Sequence, residues 1–347
     1  MKHQRGVTQQ GFTLVELLIV VLVLGVVSVL LAPAYSSLMS AQKSAYVEKH
    51  RLNNMLVGNS LISYAANATQ YGRLPAAYTG SGYTKTVYDP ANATLAQVLT
   101  QSGVNPAEIN DDATAARNVR VYQVVQGLAQ AVPLYFQSGP QVTLTYDFGA
   151  LYMTTCPKAS TTCNPTAATG VPGSSPALTA ANYTTWATTG TDGQAYFVSS
   201  LPVQKQMLAT TVQRLDKVRD SLLSYFRGQQ ITAAGGDTTN WYPNQLGASA
   251  AGSLSGATPA TNQGCRDGWY NLQNVAVSVL PTVGLAHEEY GVTAWGGAIQ
   301  YCRDYDPTGA SGADTAPHYA ALRIHKNASV GGAPDAAVPG NNIVLTF

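Results

Sequence analysis

The apolar run from Phe12 to Ala32 is broken by a single charge, Glu16, and sixteen of the twenty residues from Phe12 to Leu31 are Leu, Ile, Val or Phe. As a helix rising ~1.5 Å per residue the run reaches about 32 Å, enough to cross a hydrocarbon core of roughly 30 Å. Its side chains supply about 5 to 10 kcal/mol of insertion, against a few kcal/mol for one acid near the helix end. The helix is predicted to continue to about Ala66. Leu52, Met55, Leu56, Asn59 and Ile62 recur there at steps of three or four as a stripe that can rest on a globular head, with Lys43, Glu48, Lys49 and Arg51 on the wet side. A second amphipathic helix is predicted from about Val203 to Arg227. Leu208, Val212, Leu215, Val218, Leu222 and Tyr225 form its apolar face, Asp216 with Arg219 and Lys217 with Asp220 sit three apart on the other, and Gly228 is the expected stop.

Elsewhere the pattern is β. Val119 to Val125, Gln141 to Phe148, Leu151 to Thr155, Ala195 to Ser199, Ala298 to Tyr305, Leu322 to His325 and Ile343 to Phe347 are short β-rich runs between turn residues. The stretches 157–193 and 232–264 are rich in Thr, Ala, Ser, Gly and Pro and read as loops or linkers with little to bury. Asp220-Ser221-Leu222-Leu223-Ser224-Tyr225 mirrors Asn59-Ser60-Leu61-Ile62-Ser63-Tyr64, and Trp295-Gly296 echoes Phe148-Gly149 as a strand start, so two tandem helix-plus-sheet heads are one reading of the pattern. The fold class expected is α+β: a long N-terminal helix and an antiparallel β head. The boundaries expected are 12–66 for the helix, 67–156 for a first head, 157–193 for a linker and 194–347 for a second helix with its own sheet.

Charge changes the picture. Of 347 residues 19 are Lys or Arg and 18 are Asp or Glu, a net +1. That balance argues against a nucleic-acid footprint, which needs clustered Lys and Arg, and 45% hydrophobic residues argue against a wholly disordered chain. Lys2 and Arg5 precede the apolar run, which places that flank in the cytoplasm and everything after Ala32 across the membrane. The four cysteines, Cys156, Cys163, Cys265 and Cys302, lack zinc-ligand spacing. They fit two disulfides made outside the cytoplasm, with three connectivities open and the local pairs Cys156 to Cys163 and Cys265 to Cys302 favoured. An ordinary secretory signal has a shorter apolar region; the A-x-A cleavage candidate here is Ala32-Pro33-Ala34. Neither that signal nor a plain anchor accounts for Glu16, since an acid inside a membrane segment is costly and needs a partner.

At Gly11-Phe12-Thr13-Leu14-Val15-Glu16 and the following Leu17 to Leu31, the chain resembles the processing segment of type IV pilins and of the pseudopilins of type II secretion. The resemblance covers roughly the first 55 residues. It implies a leader, residues 1–11, removed by a prepilin peptidase after Gly11, and methylation of the new amino terminus on Phe12. It also implies that Glu16 pairs with the terminal amine of a neighbouring subunit, since opposite charges in lipid are far cheaper together than apart. Gly25 and Pro33 match positions where family helices loosen or kink. The partners implied are other pilin subunits, the peptidase, the assembly platform and the inner membrane, with a final place in an extracellular or periplasmic fibre. The role expected is structural and adhesive, that of a minor pilin, with a pseudopilin as the alternative. A membrane-anchored binding protein reading from the loops around Trp241 and Trp269 is a third.

Catalytic motifs fail. His287-Glu288-Glu289-Tyr290-Gly291 has glycine where H-E-x-x-H needs its second histidine, no G-x-S-x-G elbow occurs, and Lys85-Thr86 lacks a phosphate-cradling frame. His287, His318 and His325 are too scattered to nominate as a site. No enzyme activity and no cofactor are expected. Asp304, Asp306 and Thr308 fall at positions one, three and five of a calcium-loop frame with Gly309 at six, but position twelve is Thr315 where a bidentate Glu belongs; an Asp-rich turn is the better reading. The four N-x-[ST] sites, at Asn67, Asn92, Asn182 and Asn327, support no claim of glycosylation.

Overall fold

The computed structural model describes residues 14–77, 93–104, 118–135, 139–157, 173–244, 263–265, 268–306, 316–327 and 331–347. Helix α1 runs Leu14–Ala66 and is followed by α2 (Ala93–Gln101), β1 (Asn118–Pro133), β2 (Gln141–Pro157), β3 (Tyr196–Ser199) and α3 (Leu201–Thr232). Then come β4 (Tyr270–Asn271), the one-turn α4 (His287–Tyr290), β5 (Gln300–Cys302), β6 (Ala321–His325) and β7 (Asn342–Thr346). The chain divides into two units, Met1–Asn53 and Asn54–Phe347. The class is α+β, with antiparallel sheets throughout the second unit.

In the second unit the last turns of α1 lie on a sheet of order β1-β2-β3. The buried stripe is Asn54, Val57, Gly58, Leu61 and Ala65, packed with Tyr122, Leu151 and Val198. This corrects the expected stripe: Leu52 and Leu56 are 41% and 44% exposed, and the face against the sheet is rotated round the helix from them. The polar Asn54 belongs to the inner face because Arg120, buried on β1, donates Nη1 to its Oδ1. Gly58 is there for closeness, since a Cβ would stand 2.4 Å from the Tyr196 ring. Strands alternate their side chains between faces. Tyr122 and Leu151 therefore meet α1, while Val121, Ala150 and Tyr152 meet the opposite layer, built from Leu178, Tyr183 and Trp186.

That outer layer revises the expected linker. The described part, 173–193, buries Leu178 and Trp186, and Gln123 on β1 ties it down by accepting from the Leu178 amide at 2.8 Å and donating Nε2 to Tyr152 Oη at 3.0 Å. A segment poor in large apolar residues still seals a sheet when two rings and one buried amide do the work. The head boundary expected in 157–193 does not separate the sheets either, because β3 lies beyond it and pairs with β2, Leu151 opposite Tyr196. Val119 to Val125 extends to sixteen residues as β1, and the runs expected as two strands at 141–155 are one, β2. Phe148-Gly149 consequently sits inside a strand and not at its start, and the bulge falls in β1 between Val125 and Leu128, where Gly127 takes φ 80°.

Helix α3 starts directly after β3 and packs on a four-stranded sheet, order β4-β5-β6-β7. It passes the expected stop at Gly228, which is exposed and unconstrained, and ends at Thr232. Leu215, Val218 and Leu222 join Tyr270, Tyr301, Leu322, Ile324 and Ile343 in the largest core cluster, which also takes in Leu134, Val142 and Leu144 from the first sheet. Strand β4 and helices α2 and α4 carry no periodicity long enough to foresee.

The outer face of the second sheet is closed by covalent chemistry. Cys265 and Cys302 form a disulfide, 37 residues apart in sequence, beside the buried Trp269. A loop of that length corresponds to about 4 kcal/mol in the chain-entropy picture. Cys156 is likewise disulfide-bonded, and its expected partner, Cys163, lies outside the described residues. Arg323 stacks on the Trp269 ring, 4.5 Å from its centroid, and donates Nε to Gln300 Oε1 at 2.9 Å. Burial pushes its guanidinium down to about 10.

Candidate functional site: the N-terminal assembly helix

Between Leu17 and Ala66 α1 is long and apolar enough to cross a membrane and lies near the N-terminus. As far as Leu31 its described apolar residues are bare: Val15 is 65% exposed, and Leu22 and Leu31 are about as open. Leucine and valine at this density cannot remain in water at ~25 cal/mol per Å2, so this surface needs lipid or other helices around it. Beyond Leu31 the exposed apolar character persists as Tyr35, Leu38, Met39, Tyr46 and Val47 on the same helix. Arg51 donates Nε and Nη2 to Glu48, at 2.8 and 2.7 Å, marking the hydrated side. Tyr46 meets His50 edge to face, ring centroids 4.1 Å apart.

The helix is one element through both positions expected to loosen it. Pro33 lies inside it, and an added Cβ on Gly25 would meet nothing within 4 Å. Ser28 and Ser36 turn their hydroxyls onto the backbone carbonyls of Leu24 and Pro33, at 2.7 and 2.8 Å, as serines in apolar helices do. Glu16 belongs to the first turns of α1. Gly11 and Phe12, the expected cleavage and methylation positions, lie outside the described residues. The arrangement offers an exposed apolar helix surface long enough to cross a membrane.

Residues 7–32 match the family model of the prokaryotic N-terminal methylation motif. The chain carries a type IV pilin or pseudopilin N-terminal segment. This matches the resemblance read from Gly11 to Glu16, and the segment implies membrane anchoring before assembly, processing by a prepilin peptidase and association with other pilin subunits. It marks a structural-subunit type of protein. No curated protein and no solved structure matches the chain.

Elsewhere the candidate positions are dispersed. Among the described residues no three His, Cys, Asp or Glu side chains stand where they could hold a metal. Asp304 is buried, Asp306 donates its amide to the Gly264 carbonyl at 2.8 Å, and Thr308 is outside the described residues. His287 lies 3.2 Å from Glu288 in α4, while His318 meets the Thr238 carbonyl at 2.6 Å. In the loops around Trp241 and Trp269, Trp269 is fully buried beneath Arg323 and beside the disulfide, so its ring is not open to a ligand. Pattern reading also missed the buried polar residues that organise the head, Asp147, Gln204, Arg120 and Arg323. Two had a signal, since Arg120 in Val119-Arg120-Val121 and Arg323 in Leu322-Arg323-Ile324 are lone charges inside strand patterns of a charge-poor chain.

Proposed function

We propose that this protein is a minor, low-copy subunit of a type IV pilus-like fibre, cut after Gly11, methylated at Phe12 and held in the fibre by α1 with Glu16 paired to a neighbouring amino terminus. The observation that carries the reading is the methylation motif at 7–32, which overlaps a 53-residue helix whose apolar side chains are exposed as far as Leu31. Low copy number is supported by size. Helices pack about 8–10 Å apart, whereas a compact unit as long as Asn54–Phe347 is about 50 Å across. Copies packed closely through α1 cannot all hold such heads at one level. The contribution is to adhesion, motility or DNA uptake, made outside the cytoplasm by the head. A pseudopilin of a type II secretion system uses the same segment and is the second reading.

The test is Glu16→Val in the native host, followed by quantitative mass spectrometry of sheared surface fibres and of membranes. The variant is expected to remain in the membrane at the normal level and to fall about tenfold or more in the fibre fraction, because an unpaired amine in lipid costs more than ~1.4 kcal/mol. Incorporation at the wild-type level contradicts the pairing. Wild-type protein found only in membranes, with surface secretion lost on its deletion, favours the pseudopilin.

A further inference from the structure

The turn that leaves α1 gathers contacts from both sheets. Tyr71 and Gly72 take left-handed backbone angles, φ 51° and 73°, which turn two successive carbonyls toward α3. Both accept from Nε2 of the fully buried Gln204, at 2.9 Å each. The same amide accepts from Trp295 Nε1 at 2.7 Å. A Cβ at position 72 would stand 2.4 Å from the Gln204 nitrogen, so glycine answers both the angle and the approach. Trp295 belongs to the second sheet's side. Its loop is fixed to α3 where the Ala294 amide donates to Thr211 Oγ1 and Arg214 Nη1 donates to the Val292 carbonyl, both at 3.0 Å.

The next two residues face the first sheet. Arg73 donates Nε to both oxygens of the fully buried Asp147 on β2, at 3.1 and 2.9 Å, and the Leu74 amide donates to Asp147 Oδ2 at 2.8 Å. Asp147 Oδ1 accepts from the Gly127 amide in the β1 bulge at 3.0 Å. The backbone of Asp147 exchanges bonds with Ser200 ahead of α3: its amide donates to Ser200 Oγ, and its carbonyl accepts from the Ser200 amide. Four residues of turn thus hold two helices and two sheets through buried, charge-assisted and amide hydrogen bonds.

We infer that the 71–74 turn is a clasp that couples the two helix-on-sheet modules into one cooperative unit. Apolar contacts also join them, through Val142 and Leu144, and the Thr143 amide donates to the Lys326 carbonyl at 3.0 Å. The Thr143 bond is a single backbone link, and the apolar contacts can loosen by degrees. The clasp cannot, because moving either module away strands the Tyr71 and Gly72 carbonyls, the Trp295 N–H or the Asp147 charge in a dry interior, and an unmade buried bond costs more than a made one returns. Tension on α1 in a fibre would reach both modules here; that consequence rests on the proposed function, whereas the coupling does not.

The test is hydrogen exchange by mass spectrometry on the full chain in detergent, with Leu178→Ala as the disturbance. Leu178 lies in the outer layer of the first sheet and outside the second sheet's core cluster. With Gln204 present, Leu178→Ala is expected to speed exchange by about tenfold or more in peptides of both β2 and β5–β6, because the modules open together. In a Gln204→Leu background the effect on β5–β6 should shrink to less than about twofold while that on β2 remains. If Gln204→Leu does not fold, Trp295→Phe, which removes the Nε1–H donated to Gln204, replaces it with the same expectation. An effect of Leu178→Ala confined to β2 with the clasp intact overturns the inference, as does undiminished spread to β5–β6 in the clasp variants.

Discussion

Asp335 shows how single residues settle the loops of this head. Its Oδ1 accepts from the amides of Ala337 and Val338, at 2.8 and 3.0 Å, and its Oδ2 accepts from Asn341 Nδ2 at 2.8 Å, closing the turn before β7. Asn341 first, then the two amides, holds the carboxyl below its ordinary 3.8. A folded value below the unfolded one means that the ionised group's contribution is complete above about pH 4 and is lost as pH falls through the folded value. Stability measured by denaturant between about pH 5 and 2 should therefore fall more steeply for the wild type than for Asp335→Asn; parallel curves would show that the turn does not use the charge. Tyrosines carry the opposite sign. Burial pushes the Tyr122 and Tyr301 hydroxyls well above 10.0, so what they contribute is present below about pH 10 and lost as pH rises further.

At the scale of elements, the two helices repeat one design. Leu61 in α1 and Leu222 in α3, matched within the six-residue similarity, are both fully buried, each against its own sheet. Leu61→Ala and Leu222→Ala should each cost about 2–5 kcal/mol in chemical denaturation, since each leaves a cavity in a packed core. A loss below ~1 kcal/mol at either would show that its helix rests only loosely. Both helices were legible because their periodicity runs over many turns, and α1 ends at Ala66 as the pattern predicts. The buried face of α1 was not legible: Leu52 and Leu56 advertise hydrophobicity, yet Asn54 and Gly58 face the sheet because Arg120 and the Tyr196 ring await them there. Gly228 misled in the same way, since a glycine ends a helix only where the chain must turn left-handed. The outer layers were hidden for a different reason. Trp186 and Trp269 close two sheets from segments without periodicity, and only the fold shows which surface each ring covers.

At the scale of the whole molecule, the described residues hold an apolar N-terminal helix and two sheets. The anchoring end was the most readable part of the chain, because a lone acid in an apolar run and a glycine before it state a chemical requirement that needs no tertiary context. The head was readable in class but not in division: the expected boundary fails because β3 reaches across it to β2, and the 71–74 turn with Gln204 and Asp147 ties together residues more than seventy positions apart. Everything proposed for assembly hangs on the amino terminus that faces Glu16. The most direct measurement is the intact mass and N-terminal peptide map of the protein purified from its native membrane or fibre fraction. A chain beginning at methylated Phe12 is the result predicted here. A chain that keeps the Gly11 to Phe12 bond, or one that begins after Ala34, would contradict the account and leave Glu16 without its partner.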